Sequence, residues 1–251
     1  YNADIIGTPF TIEVLKTILK DEKIFLKNKL KVVQPNSFCY VQGKKRKYKV
    51  DFINITHSTI QCSMLALHTP EGIVLYANDF KFDNFPVLGK KPNWEKLKEI
   101  AKEGVKVLIV DSLYSGDNRK TASEKVARTL LEDVLFTTTN ENNGLFVTTF
   151  SSHIARLKSI TEFGKKLNRK IIFLGRSLNK YVSAAARVDM CPFRKDVEIA
   201  TYRNQLQKIL KKINKDRKKY MVVCTGHQGE PGSILDRLSR GKLPFQFQTN
   251  D

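Results

Sequence analysis

Two side chains set apart in the sequence, His57 and Asp79, are 22 positions distant yet are expected to meet. The stretch between them reads as a hairpin. An apolar run, Met64–Leu67, meets the turn Thr69-Pro70-Glu71-Gly72, and a second run, Ile73–Ala77, comes back. Proline sets the entry to such a turn and glycine supplies the permissive backbone at its exit. Counting back from the turn, Cys62 or Ser63 should face Asn78, which leaves His57 and Asp79 together at the open end. An imidazole and a carboxylate at a strand edge are ligand types that suit zinc. A lone His or Asp after a strand is more often a cap or a turn residue, and that reading stands beside the metal one. A second acid, Asp111, follows the apolar run Val105–Val110 (VKVLIV), expected as a buried strand. In open α/β layers functional groups gather outside such strand ends.

The second half offers a different chemistry. Three turns carry small residues with polar or basic neighbours: Phe150-Ser151-Ser152 with Arg156 one helical turn on, Gly175-Arg176-Ser177, and Thr225-Gly226-His227-Gln228-Gly229-Glu230-Pro231. Each sits where a strand should enter a helix, so backbone N–H groups and the positive helix end can face an anion. Parallel strands would bring all three to one sheet edge as a basic shelf for a phosphodiester backbone. Ordinary helix capping by Ser and Thr is the competing reading of each turn. None is a GxxxxGK[ST] loop, so nucleotide hydrolysis of the Walker type is unsupported.

The elements that position these groups can be taken in order. Thr8 and Pro9 open a helix with Phe10, Val14, Leu15 and Ile18 at helical spacing. Residues 31–42 and 47–56 read as strands around the basic tip Gly43-Lys44-Lys45-Arg46-Lys47. Residues 82–92 form a loop, and Asn93 caps a helix over Trp94–Glu103. Ser123-Glu124 starts a helix to Leu135. Strands at Leu145–Thr149, Lys170–Leu174 and Tyr220–Cys224 then alternate with helices at Ser151–Leu167, after Gly175 to Ala186, and about Asn204–Asn214. That rhythm predicts a parallel sheet with helices on its faces. The expected boundary divides residues 1–122 from 123–251.

Composition narrows the partner. The 251 residues carry 44 Lys+Arg against 25 Asp+Glu, a formal charge of +19. Such a balance favours a polyanion, nucleic acid first; a lysine-rich surface of other origin is the alternative. No apolar stretch reaches the roughly 18 residues of a membrane helix. No signal-peptide order opens the chain, and four scattered cysteines without CxxC spacing read as reduced residues of a cytoplasmic protein.

The ordered set THS…TPEGIVLYANDFKFD, VLIVDS, TFSSHIARL, GRSL and TGHQGEP resembles the β-CASP branch of the metallo-β-lactamase superfamily, of the ribonuclease J type. The resemblance implies part of an αββα sandwich followed by a β-CASP α/β domain with a mainly parallel sheet. It implies two zinc ions, with His57 and Asp79 as ligands and Asp79 bridging, and catalytic roles for Asp79 and Asp111. It implies a 5′-to-3′ RNA exonuclease with endonuclease activity, acting on single-stranded, 5′-monophosphorylated RNA without membrane attachment, and it allows a homodimer. Ser152, Arg156, Gly175, Arg176, Ser177, Thr225, Gly226, Gln228, Gly229 and Glu230 match positions near the RNA backbone. His68, His153 and His227 are left as structural or RNA-proximal. The family's His-x-His-x-Asp-His motif and later histidine segments are absent. Ile60-Gln61, Asn78 and His227 also depart from the family pattern. The expectation is therefore an inactive piece of a longer nuclease, with a non-catalytic RNA-binding module as the alternative.

Overall fold

The computed structural model describes residues 3–249 and 251, and the chain divides into two units, Tyr1–Lys125 and Val126–Asp251. In the first, a short parallel pair, β1 (Ile5–Gly7) and β2 (Leu30–Val32), brackets α1 (Pro9–Asp21). Thr8 stands at the helix cap as expected, but its hydroxyl bonds the Thr11 hydroxyl at 3.0 Å, not the backbone. The cap comes from elsewhere: Phe10 N–H donates to Gln61 Oε1 at 2.8 Å. Gln61, in a left-handed conformation (φ 56), thus satisfies one of the donors a helix start leaves open.

A five-stranded sheet follows, in spatial order β3 (Ser37–Gln42), β4 (Lys47–Asn54), β5 (Ser63–Thr69), β6 (Gly72–Ala77) and β7 (Val105–Val110). The first four are antiparallel neighbours, while β6 and β7 run parallel. The hairpin closes as the turn residues demand, with Thr69 opposite Gly72 and Gly72 at φ 125. Helix α2 (Trp94–Glu103) is capped by Asn93, whose side-chain oxygen accepts from Lys96 N–H at 3.0 Å. Its Ile100 joins Ile53, Ile55, Met64, Ala66, Ile73 and Ala77 in the core.

One expectation fails here. β7 is not a buried strand: Val105, Val107, Leu108, Ile109 and Val110 are between 37% and 57% exposed. It is the last strand of the sheet, with a single strand neighbour, and among the described residues nothing covers it enough to exclude water. An apolar run specifies a strand but not the neighbours that bury it.

The second unit is wound differently. After α3 (Glu124–Thr137) come β8 (Leu145–Thr148), α4 (Ile154–Lys166), β9 (Lys170–Leu174), α5 (Arg176–Arg187), β10 (Val197–Ala200), α6 (Arg203–Lys215), β11 (Tyr220–Cys224) and α7 (Ile234–Ser239). The strands form one wholly parallel sheet in the order β10-β9-β11-β8. Ile172, Leu174, Val222 and Cys224 pack with Leu206, Leu210 and Ile213 of α6 and with Phe245. On α4, a Cβ at Gly164 would come within 2.9 Å of Ile171 and 3.0 Å of Met221, so the missing side chain lets the helix lie close on the sheet. α4 begins at Ile154 and not at Ser151, because His153 Nδ1 accepts from Arg156 N–H and ends the preceding turn. The short strand β10 and the helix α7 carry too few periodic residues to be read in advance.

Candidate functional site

The first unit collects its candidate groups at one end of its sheet. β4, β6 and β7 run the same way, and His57, Asp79 and Asp111 each follow the carboxyl end of one of them. Beyond the paired strands Thr56 bridges Lys81 in antiparallel fashion. Lys81 N–H donates to Thr56 O at 2.7 Å, and the Thr56 hydroxyl donates to Lys81 O. His57 follows Thr56 directly, and Asp79 lies two residues before Lys81. The register Leu65 opposite Tyr76 puts Ser63 across from Asn78. The Cys62 thiol donates to Asp79 O at 3.3 Å. Burial, and then the negative charge of Asp79, push that thiol up to about 11, so it is an inert proton-bearing neighbour. Asp111 emerges beside Asn78, since Ala77 pairs with Val110, and its Oδ1 accepts from Leu113 N–H at 3.0 Å.

A residue not singled out from the sequence organises this end. Asp83 is buried, and its carboxylate accepts from Ser123 Oγ (2.7 Å), Glu124 N–H (2.7 Å) and Phe85 N–H (2.8 Å). The Glu124 amide opens α3, so Asp83 is a capping anion supplied from 41 positions away. Burial pushes its pKa up, but the Glu124, Ser123 and Phe85 donors together with the Lys81 charge outweigh that and hold it below the usual range. No local pattern announces this role, because the partners are distant in sequence.

In the second unit the three phosphate-type turns do share an edge. Thr148 pairs with Cys224, and Val223 with Phe173, so the carboxyl ends of β8, β11 and β9 are side by side. Ser151 and Ser152 follow the first, Thr225–Glu230 the second, and Gly175, Arg176 and Ser177 the third. Gly175 (φ 117) caps α5, and Arg176, exposed, is its first residue. Arg156 lies in the first turn of α4. At Gly226 (φ 127) a Cβ would meet Leu235 and Ser233, each at 2.6 Å, so only glycine fits. Glu230 closes its own turn, accepting from Gln228 N–H at 3.1 Å, and Gly229 N–H donates to Gly226 O. His227 packs edge-on against Phe150 at 4.3 Å, joining the Phe150–Ser152 turn to the Thr225–Pro231 turn. His68 instead pairs with Asp51 at 2.7 Å in the first unit.

A zinc ion takes about four protein or water ligands. Among the described residues no three His, Cys, Asp or Glu side chains gather closely enough to hold a metal. His57 and Asp79 thus offer the right donor types but do not make a metal site by themselves.

These features define an α/β protein with an antiparallel-rich sheet followed by a four-stranded, wholly parallel sheet. Residues 142–250 match the family model "Ribonuclease J, beta-CASP domain", and this stretch belongs to that family. The chain is 40% identical to ribonuclease J of Methanocaldococcus jannaschii, over all of this chain and 56% of the relative. It is 42% identical to ribonuclease J of Pyrococcus abyssi, over 95% of this chain and 52% of the relative. The chain spans about half the length of these curated relatives. A crystal structure of a protein of unknown function from Enterococcus faecalis V583 has the same fold, with a TM-score of 0.55 at 12% identity, over 88% of this chain and 52% of that one. No helix among the described residues is long and apolar enough to cross a membrane.

Proposed function

We propose that the chain is part of a ribonuclease J-type nuclease that hydrolyses RNA phosphodiester bonds, exonucleolytically from the 5′ end and also internally. The observation that carries this reading is that His57, Asp79 and Asp111 each follow the carboxyl end of one of three codirectional strands of the same sheet. His57 and Asp79 belong, in this reading, to a zinc donor set larger than the residues present, and Asp111 is the acid beside them. Ser152, Arg156, Gly175, Arg176, Ser177, Thr225, Gly226, Gln228, Gly229 and Glu230 bind the backbone of single-stranded RNA in the second unit. Three glycine- or serine-bearing turns on one parallel-sheet edge, in a chain of charge +19, support that role.

The test is a pair of measurements on the 251-residue chain. It should retain 5′-monophosphorylated single-stranded RNA with an affinity that falls steeply with salt, and it should not shorten that RNA. Zinc-dependent degradation by the chain alone would overturn the partial donor set. Absence of RNA binding at low salt would overturn the reading as a whole.

A non-catalytic RNA-binding module is the second reading. It is favoured by Gln61, whose side chain, at a position departing from the family pattern, is engaged as a helix cap.

A further inference from the structure

An aromatic surface in the first unit lies in the segment between the candidate site and α2. Phe80 packs against the core cluster. Phe82 lies 5.1 Å from Phe80 and stacks on Trp94, with centroids 4.7 Å apart and planes 30° apart. Three residues on, Phe85 stands beside two ammonium groups, Lys91 at 5.7 Å and Lys125 at 5.9 Å from its ring centroid. These rings are not covered: Phe82 is 49% exposed, Phe85 59% and Trp94 38%.

The surface is held rigid by bonds that do not involve the rings' faces. Asp83 accepts from Phe85 N–H, and Ser123 Oγ lies 3.1 Å from Phe85 O. Asn54 Nδ2 donates to Lys90 O and Lys91 O at 3.3 and 2.9 Å, fixing the backbone that carries the two lysines. The Trp94 indole N–H donates to Asn84 Oδ1 at 2.8 Å, which orients the ring. Residues 80–94 carry Lys81, Lys90 and Lys91, while the charge of Asp83 is buried and consumed by its donors. The two ammonium groups beside Phe85 add positive charge to the apolar surface. Flat exposed rings bordered by lysines suit an anionic strand whose bases have free π faces.

We propose that Phe82, Phe85 and Trp94, with Lys91 and Lys125 beside Phe85, form a stacking platform for the unpaired bases of single-stranded RNA. The proposal rests on the RNA reading above and adds to it a base-contacting surface in the first unit, apart from the backbone-binding turns of the second.

Trp94 is the sole tryptophan, so its fluorescence reports this surface directly. The chain is titrated at low salt with a short oligouridylate and with an abasic oligomer of the same length and charge. The base-bearing oligomer should quench Trp94 and bind more tightly than the abasic one. Phe82→Leu, which keeps the apolar bulk, should weaken oligouridylate binding roughly 5- to 100-fold, and Phe82→Tyr should retain it. Lys91→Ala should lower the slope of log affinity against log salt by about 0.7. Equal binding of both oligomers, unchanged by Phe82→Leu, would overturn the platform and leave the RNA reading standing. Failure of both oligomers to bind would overturn the platform and the RNA reading alike. A Trp94 signal that follows protein concentration instead would assign the surface to a second copy of the chain and end the proposal.

Discussion

β7 and β9 are nearly interchangeable as sequences, VKVLIV against KIIFL, yet they meet opposite fates. In β9, Ile171, Ile172, Phe173 and Leu174 are each no more than 3% exposed, because β10 and β11 flank the strand and helices cover it. In β7 every residue is exposed, because the strand ends its sheet. Burial is therefore a property of position in the layer, and the two units use it unequally. The second unit rests its parallel sheet on closed apolar packing. Both also use single polar groups reaching across long sequence separations, Asp83 and Gln61 in the first and Arg169 and Arg217 in the second.

The sharpest way to break this comparison is to place a lysine in each strand. Ile172→Lys puts an unpaired charge among Leu210, Val222 and their neighbours, and should cost more than about 4 kcal/mol, enough to unfold the second unit. Leu108→Lys, at a site 57% exposed, should stay within about 0.5 kcal/mol. It should also reduce self-association, because an exposed apolar edge strand is a template for pairing with another chain. Urea denaturation with light scattering checks both. Equal destabilisation by the two lysines would show β7 to be covered in solution.

Asp83 tests the long-range polar bonds of the first unit. Asp83→Ala leaves the Glu124 amide and the Ser123 hydroxyl without their acceptor and should cost about 1–3 kcal/mol. The pH dependence has a definite sign. The folded-state pKa is depressed, so the stabilisation is complete above the unfolded carboxyl value of about 3.9 and is lost as pH falls through the lower folded value. The acid limb of a stability–pH curve should flatten in Asp83→Ala relative to the parent chain. An unchanged acid limb would remove Asp83 from this role.

Much of the framework was legible in advance because it depends on short-range pattern. The Asn93 cap, the Pro70–Gly72 turn and the alternating strands and helices of the second half all follow from residues within a few positions of each other. That Ser63 faces Asn78 and that Asp111 follows a strand end was legible through register and pattern, since strand pairing converts sequence distance into position. What stayed hidden was long-range and particular. Nothing near Gln61 says that its amide reaches Phe10, 51 positions back. Nothing near Asp83 names Ser123 and Glu124. The exposure of β7 was missed for the converse reason, an absence of neighbours that the strand's own residues cannot encode.

Gln61 gives the smallest effect and the finest test. Thr8 has the residue type of a helix cap but spends its hydroxyl on Thr11, so α1 depends on a borrowed acceptor. Gln61→Ala should therefore destabilise by about 0.5–2 kcal/mol, the range for loss of an N-cap. The loss should appear as fraying of α1, read by amide hydrogen exchange at Phe10 and Thr11, with the second unit unaffected. Thr8→Ala, by contrast, should leave Phe10 protected, since its hydroxyl accepts from no backbone amide of the helix. If Thr8→Ala exposed Phe10 and Gln61→Ala did not, the cap would be the local one that the sequence suggests, and the long-range bond from Gln61 would contribute nothing to α1.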